Sequence, residues 1–557
     1  MPSPRASCSG HVPRRGWRMP DQFNAFVVGP ATWVPGRPGG PLTGLTVAVK
    51  DVIDVAGLPT RHGLCVDAAP AGASAAAVAA VVAAGATCVG KTATDQLAFG
   101  LSGLDTAGAA PRNPRHEDRL PGGSSSGAAA AVAGGLVDVA IGTDTAGSVR
   151  VPASYCSIVG FRPTHGSVSV DGVAALAPDF DTVGWLASSV HLAQAVGDVL
   201  LPDDTATVTT PTELLLLVEA LDALDPADAA GIRRGVTALA QVWGVPVRSM
   251  RLGSSVAEVG AAFRGDQLAQ IAARHPAVSL PAGLVAAVRE RFDQAHAGAA
   301  GSPTAARIAA RSSLEPLLAA LAGGAVLALP AAAGPAPRLE DVTSASYAEH
   351  RATTVALNAI AGLLGAPSLV LPTPADDASD APGVGLALVA APGADRMLLA
   401  AAGRSELPDA EIAPLGSESL RSAFYDYEAA FVRHDLAALS DQFAPGPSTI
   451  RFAPDGAAYG RTAIDARRAA APSAAQPRDV VRLTFSHLGP DVGVTALEYQ
   501  RASGVRGLQT QTWQRRDGRW RVVLAHVSLL GDVEQVPISA GPVPTHRTTS
   551  AKEVTPR

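Results

Sequence analysis

From about residue 21 to 405, short apolar runs alternate with alanine-rich stretches long enough for helices, and this alternation limits the fold more than any other feature. Leu45–Val49, Val137–Ile141, Val326–Leu329, Leu369–Leu371 and Leu386–Val389 read as strands. Ala75–Ala84, Ala128–Ala133 and Arg351–Leu364 read as helices. The expectation is an α/β unit, a central sheet covered by helices. Residues 201–325 read as mostly helical, and no fixed-period repeat is visible. Of 557 residues, 47% are hydrophobic and 17% charged, which permits a sizeable core and excludes global disorder.

The pattern changes after residue 405. Residues 406–419, with Pro408, Pro414 and Gly416, read as a linker. Residues 420–533 hold four of the six tyrosines and a different order of elements. A helix is expected over Leu420–Phe443, a strand near Thr449–Phe452 and a short helix near Thr462–Ala470. Strands follow at Val480–His487, Gly493–Gln500, Leu508–Arg515 and Trp520–Leu529, the last two joined by the hairpin signal Asp517-Gly518. This order suggests a small α+β cone, a curved sheet wrapped on a helix. Residues 1–20 read as an N-terminal extension, with translation starting at Met1 or Met19, and 534–557 as a disordered tail.

Net charge is −6, and no basic stripe suits nucleic acid. Cys8, Cys65, Cys88 and Cys156 show no paired spacing and read as small buried hydrophobes. Neither Cys-x-x-Cys nor His-Glu-x-x-His occurs, so no metal site is expected. No apolar run has the length of a membrane span, and the arginines at 5, 14, 15 and 18 precede no secretory apolar segment. A cytoplasmic protein that does not engage membranes is the expectation.

Only three of the 44 basic residues are lysines: Lys50, Lys91 and Lys552. Lysine can lose its proton and arginine cannot, which is one reason to retain it. Lys50 ends the apolar run Leu45–Val49. It could snorkel from the strand end. Alternatively, burial could bring its pKa from ~10.4 to ~7, a differential solvation of roughly 4–5 kcal/mol, and make it a base. Pro121-Gly122-Gly123-Ser124-Ser125-Ser126-Gly127 is either a flexible linker or a tight turn presenting hydroxyls. Gly142-Thr143-Asp144-Thr145-Ala146-Gly147-Ser148-Val149-Arg150 follows a strand; its turn is either an ordinary helix start or a set of backbone N–H groups beside a nucleophile.

Taken in order, these three segments resemble the amidase signature family. Gly-Gly-Ser-Ser-Ser-Gly matches the motif that supplies Ser124, and Gly-Thr-Asp-Thr-x-Gly-Ser-x-Arg the motif that supplies Ser148, 24 residues later. The resemblance covers nearly all of residues 21–405 and implies the family's mixed sheet covered by helices. VRVPASY at Val149–Tyr155, GFRPTHGSVS at Gly160–Ser169, DTVGW at Asp181–Trp185 and the late segment Pro335–Glu340 with Arg351–Gly362 resemble the indole-3-acetamide hydrolase branch. It implies a Ser–cis-Ser–Lys relay, with Lys50 as base, Ser124 as relay in a cis peptide, and Ser148 as nucleophile. Backbone N–H groups of Thr145, Ala146, Gly147 and Ser148 would form the oxyanion hole. The substrate implied is a small-molecule amide, with no cofactor. Ala146 stands where most of the family has glycine, and a positive φ there would strain it. Ala128 replaces a common serine, and Lys91 matches a structural segment.

Residues 418–530 resemble the AtzH-like family, small hydrolases of the NTF2/SnoaL-like cone fold. The resemblance rests on Tyr427-Glu428, Thr449-Ile450-Arg451, Tyr459-Gly460, Gln511-Thr512-Trp513 and Ala525–Leu529. It implies a Tyr427/Arg451 pair that acts on a small acid, or a vestigial pair in a domain that binds or dimerises. Two other readings remain open: an allophanate- or ureido-type hydrolase, and a catalytically silent interaction protein, since some import receptors carry an amidase-like domain without activity. A homodimer is plausible by resemblance.

Overall fold

The computed structural model describes residues 21–530 apart from 29–33, 38, 299–302, 374–381, 406–419, 471–477, 490 and 502–503. The expected N-terminal extension, the linker and the tail from 534 onward lie outside the described residues.

Eleven strands build the first sheet: β1 (Phe26–Val28), β2 (Thr46–Lys50), β3 (Thr87–Thr92), β4 (Val139–Asp144), β5 (Val159–Arg162), β6 (Thr182–Ala187), β7 (Glu213–Leu217), β8 (Val247–Met250), β9 (Ala325–Pro330), β10 (Ser368–Leu371) and β11 (Leu386–Val389). Their spatial order is β1-β3-β2-β4-β6-β5-β10-β11-β9-β7-β8. The sheet is mixed: β2 runs parallel to β3 and β4, while β4 and β6 are antiparallel. Every residue of β2, β4 and β6 is buried, as expected of strands covered on both faces. The region read as mostly helical also contributes β7 and β8. β8 is a short edge strand of sequence Val-Arg-Ser-Met with three exposed residues, so it carries little apolar signal.

Two features of this sheet fix the site. Val49 pairs with Ile141 in parallel register, so Lys50 and Thr143 finish beside each other at one end of the sheet. The helix Ser126–Ala133 is made of small residues and packs close to the sheet. A Cβ at Gly127 would lie 2.3 Å from the Ala25 carbonyl oxygen and 2.5 Å from the Ala93 nitrogen, so only glycine permits that approach.

The second sheet is separate, with β12 (Ile450–Ala453), β13 (Gly456–Tyr459), β14 (Arg478–Gly489), β15 (Val492–Arg501), β16 (Arg506–Arg516) and β17 (Arg519–Leu530) in the order β13-β12-β17-β16-β15-β14. The expected single helix from Leu420 is two, Leu420–Arg433 and Leu436–Asp441. His434 takes φ 54°, and the Asp435 side chain accepts from Ala438 N at 3.0 Å, capping a new helix. β13 escaped the sequence reading because three of its four residues, Gly-Ala-Ala, have low strand propensity. Asp517 and Gly518 both take positive φ, as their two-residue hairpin turn requires. β17 does not alternate strictly. Its pairing skips from Leu524 to Val522 opposite Thr512 and Trp513, and this bulge moves the buried set from Val522 to Ala525.

Candidate active site

Lys50 is fully buried, and its Nζ donates to Ser124 Oγ at 2.8 Å and Thr143 Oγ1 at 2.7 Å. Loss of hydration brings its pKa from the ordinary lysine range to about 7, against the upward pull of Asp95, Asp144 and Asp181. Ser124 follows a cis Gly123–Ser124 peptide bond and is also fully buried. The Ser125 N–H donates to the Ser148 carbonyl at 3.2 Å, which ties the serine-rich turn to the Ser148 turn. Thus Lys50 and Ser124 share a hydrogen bond, and Ser148 joins them through the peptide next to Ser124.

Asp144 organises the turn that carries Ser148. Its carboxylate accepts from Gly147 N at 2.9 Å, Val149 N at 3.1 Å and Arg150 N at 3.3 Å. It also pairs with Arg150 Nη2 at 2.8 Å and Arg162 Nη1 at 3.1 Å. Burial raises its pKa, but the two guanidinium groups and the backbone donors outweigh burial and hold the carboxyl well below the usual range. The Gly147 N–H is therefore committed to Asp144. The N–H groups of Thr145, Ala146 and Ser148 remain as the possible oxyanion donors, one fewer than the sequence suggested. Positive φ falls on Gly147 (110°) and not on Ala146, so the alanine departure costs no backbone strain. A Cβ on Gly147 would lie 2.9 Å from Asn358 Cγ.

A cavity of about 60 Å³ adjoins the turn, lined among others by Ala98, Thr143, Thr145, Leu176 and Asp181. Asp181 Oδ1 accepts from Thr145 Oγ1 at 2.6 Å and so fixes the lip. Thr143, Asp181 and Asn358 escaped the sequence reading. Thr143 and Asp181 sit inside quoted segments, and Thr143 could have been found from strand register; Asn358, 210 residues after Ser148, lies in a stretch read as a helix and matched by resemblance, with no role assigned to it.

Lys91 is buried, with Asp51 Oδ1 at 3.3 Å and Thr60 Oγ1 at 2.8 Å. Cys88 and Cys156 are buried, whereas Cys65 is exposed, contrary to its reading as a small core residue. Among the described residues no group of three or more His, Cys, Asp or Glu is placed to hold a metal, and no helix is long and apolar enough to cross a membrane.

In the second sheet's unit, Tyr427 Oη accepts from Arg468 Nη2 at 3.1 Å. Arg451 pairs instead with Asp455 at 3.2 Å, four residues away across the β12–β13 turn. The arginine that meets Tyr427 is thus Arg468, which belongs to the helix Arg461–Ala469, rather than Arg451. That helix packs against Leu436–Asp441. Sequence resemblance carried no information about which of the two would point inward.

Comparison with known proteins places this geometry. The Amidase family model matches residues 31–230 and the AtzH-like family model residues 415–533. "Amidase 1" of Oryza sativa subsp. japonica is 34% identical over 391 residues, 64% of this chain and 89% of the relative. "Translocon at the outer membrane of chloroplasts 64" of Pisum sativum is 40% identical over 204 residues, 35% of this chain and 34% of the relative. A crystal structure of an amidase superposes with a TM-score of 0.56 at 30% identity, covering 66% of this chain and 85% of that one. With its serine-rich turn, buried lysine and Asp144-braced loop, the chain belongs to the amidase signature family and carries a C-terminal AtzH-like domain.

Proposed function

We propose that the protein hydrolyses a small carboxamide to a carboxylate and ammonia, with Lys50, Ser124 and Ser148 as the reacting groups. The observation that carries this reading is the 2.8 Å hydrogen bond between Ser124 and a fully buried amine whose pKa lies near 7. Neutral Lys50 takes the Ser124 proton as Ser124 takes that of Ser148. Ser148 Oγ bonds to the amide carbon, and the N–H groups of Thr145, Ala146 and Ser148 hold the resulting oxyanion. The C–N bond breaks, the relayed proton leaves with ammonia, and an ester of Ser148 remains. Water, deprotonated by the same relay, cleaves that ester, releases the acid and restores the Ser148 hydroxyl.

Ammonia release across a panel of primary amides tests the reading. Ser148→Ala and Lys50→Ala should each abolish turnover in a folded protein, and a fluorophosphonate should label wild-type Ser148. An active Ser148→Ala protein would overturn it. Within this reading the sequence resembles the indole-3-acetamide hydrolase branch. An allophanate- or ureido-type substrate is the second reading, favoured by the Thr-Ala-Gly-Ser turn and the AtzH-like domain. Relative rates on indole-3-acetamide and allophanate separate the two. In the AtzH-like domain, Tyr427 with Arg468 or Arg451 is the pair to substitute.

A further inference from the structure

Three arginines gather at one side of the active site with too few carboxylates to match them. Phe99 lies beneath two of them: Arg264 Cζ is 5.3 Å and Arg291 Cζ 5.9 Å from its ring centroid. Arg291 Nη2 pairs with Asp105 Oδ2 at 2.5 Å, and among the described residues its buried Nε has no partner. Among the described residues Arg264 Nη1 donates to the neutral Gln267 Oε1 alone, at 2.8 Å. Among the described residues neither Arg264 nor Arg351 forms an ion pair. Arg264 is brought down to about 9, by burial first and then by repulsion from Arg351 and Arg291, so the three groups sense one another. All three side chains are partly accessible.

The cluster is tied to the reacting groups from two directions. Asp105 N–H donates to Asp95 Oδ1 at 3.0 Å, and Asp95 N–H donates to the Ser124 carbonyl at 3.2 Å. Ala98, the residue before Phe99, lines the cavity beside Thr143 and Thr145. Arg351 lies seven residues, two helical turns, before Asn358 on the helix Ala345–Leu364, on the same face and about 10 Å along the axis. Asn358 is the residue that abuts Gly147.

We propose that Arg264, Arg291 and Arg351 receive an anionic group of the substrate, so that this site takes amides that carry a carboxylate some distance from the scissile bond. The inference rests on the amide-hydrolase reading above and narrows its substrate class. Guanidinium forks match a carboxylate through paired charge-assisted hydrogen bonds, and Phe99 keeps water from one side of them. Asp105 and Asp95 answer only part of the positive charge, and Asp95 is itself raised to about 6 by burial and by repulsion from Asp105.

The test uses the full-length protein with glutaramate and adipamate, each set against its neutral methyl ester. In the wild type kcat/KM should favour the carboxylate by at least tenfold, and added salt should reduce that ratio. Arg264→Gln and Arg351→Gln should each lower the ratio at least tenfold, mainly through KM. A wild-type ratio near one overturns the inference, as does a ratio unchanged in both variants, since loosened structure would slow both substrates alike. Calorimetric titration of the Ser148→Ala protein with glutaramate separates the two claims. If binding weakens tenfold on adding Arg351→Gln, the anion receptor stands even where amide hydrolysis fails. If Ser148→Ala binds ester and acid equally, the receptor falls while hydrolysis can stand.

Discussion

Lys50 occupies a position where a charged amine is costly and a neutral one is useful. Its neighbours Ser124 and Thr143 offer hydroxyls and no carboxylate within hydrogen-bond reach. Because Lys50 must be neutral to act as a base, kcat/KM should rise with pH through about 7 and then level. Lys50→Arg should fold but stay inactive at every pH, because a guanidinium does not deprotonate; substantial turnover would remove Lys50 from the mechanism. The same burial has a consequence for stability. Between about 7 and 10.5 the unfolded chain binds a proton at Lys50 that the folded chain does not, so its contribution to stability rises with pH across that window. Below it, the residue costs up to about 5 kcal/mol, at 1.36 kcal/mol per pKa unit. Lys50→Met should therefore be inactive yet more stable in urea at pH 7, with the gain shrinking toward pH 10. Lys91, the other lysine in the sheet, differs because Asp51 compensates its charge.

At the scale of elements, the site is a strand end meeting two tight turns. β4 delivers Thr143 and Asp144 together, one toward Lys50 and the other into the loop that ends at Ser148. Asp144→Asn would leave Arg150 and Arg162 buried without a carboxylate. Removing one partner of such a pair costs about 3–5 kcal/mol, so the variant should melt well below wild type and lose activity even at temperatures where it is folded. A near-normal melting temperature would mean that the two arginines have other compensation. The three motifs were legible because each is local: a glycine-rich turn and a strand-ending lysine keep their meaning in a single sequence. The donors proposed to hold the oxyanion were legible only in part, since the carboxylate that claims the Gly147 N–H comes from three residues earlier and depends on the turn's detailed path. Arg468 in place of Arg451 was not legible at all, because facing depends on how one short helix packs. Edge strands β8 and β13 were missed for a related reason: they are held by neighbours rather than by apolar residues of their own.

At the scale of the whole molecule, no strand of one sheet pairs with a strand of the other among the described residues, and each sheet encloses a buried tryptophan. Trp185 is fully buried in β6, donates to the Ala193 carbonyl at 2.9 Å and packs on Phe161 with ring centroids 4.9 Å apart. Trp513 is fully buried in β16, donates to Thr495 Oγ1 at 3.1 Å and meets Tyr427 edge-on at 6.2 Å. Truncating a buried tryptophan to alanine costs roughly 3–5 kcal/mol in the cooperative unit that contains it. If each sheet with its helices is one such unit, Trp185→Ala should lower one step of the chemical unfolding curve and Trp513→Ala the other. Amide hydrolysis should be lost alongside the first step and survive the second. A single transition displaced equally by both substitutions would mean that the AtzH-like domain folds as part of the amidase core, and its fusion to this chain would then be structural before it is chemical.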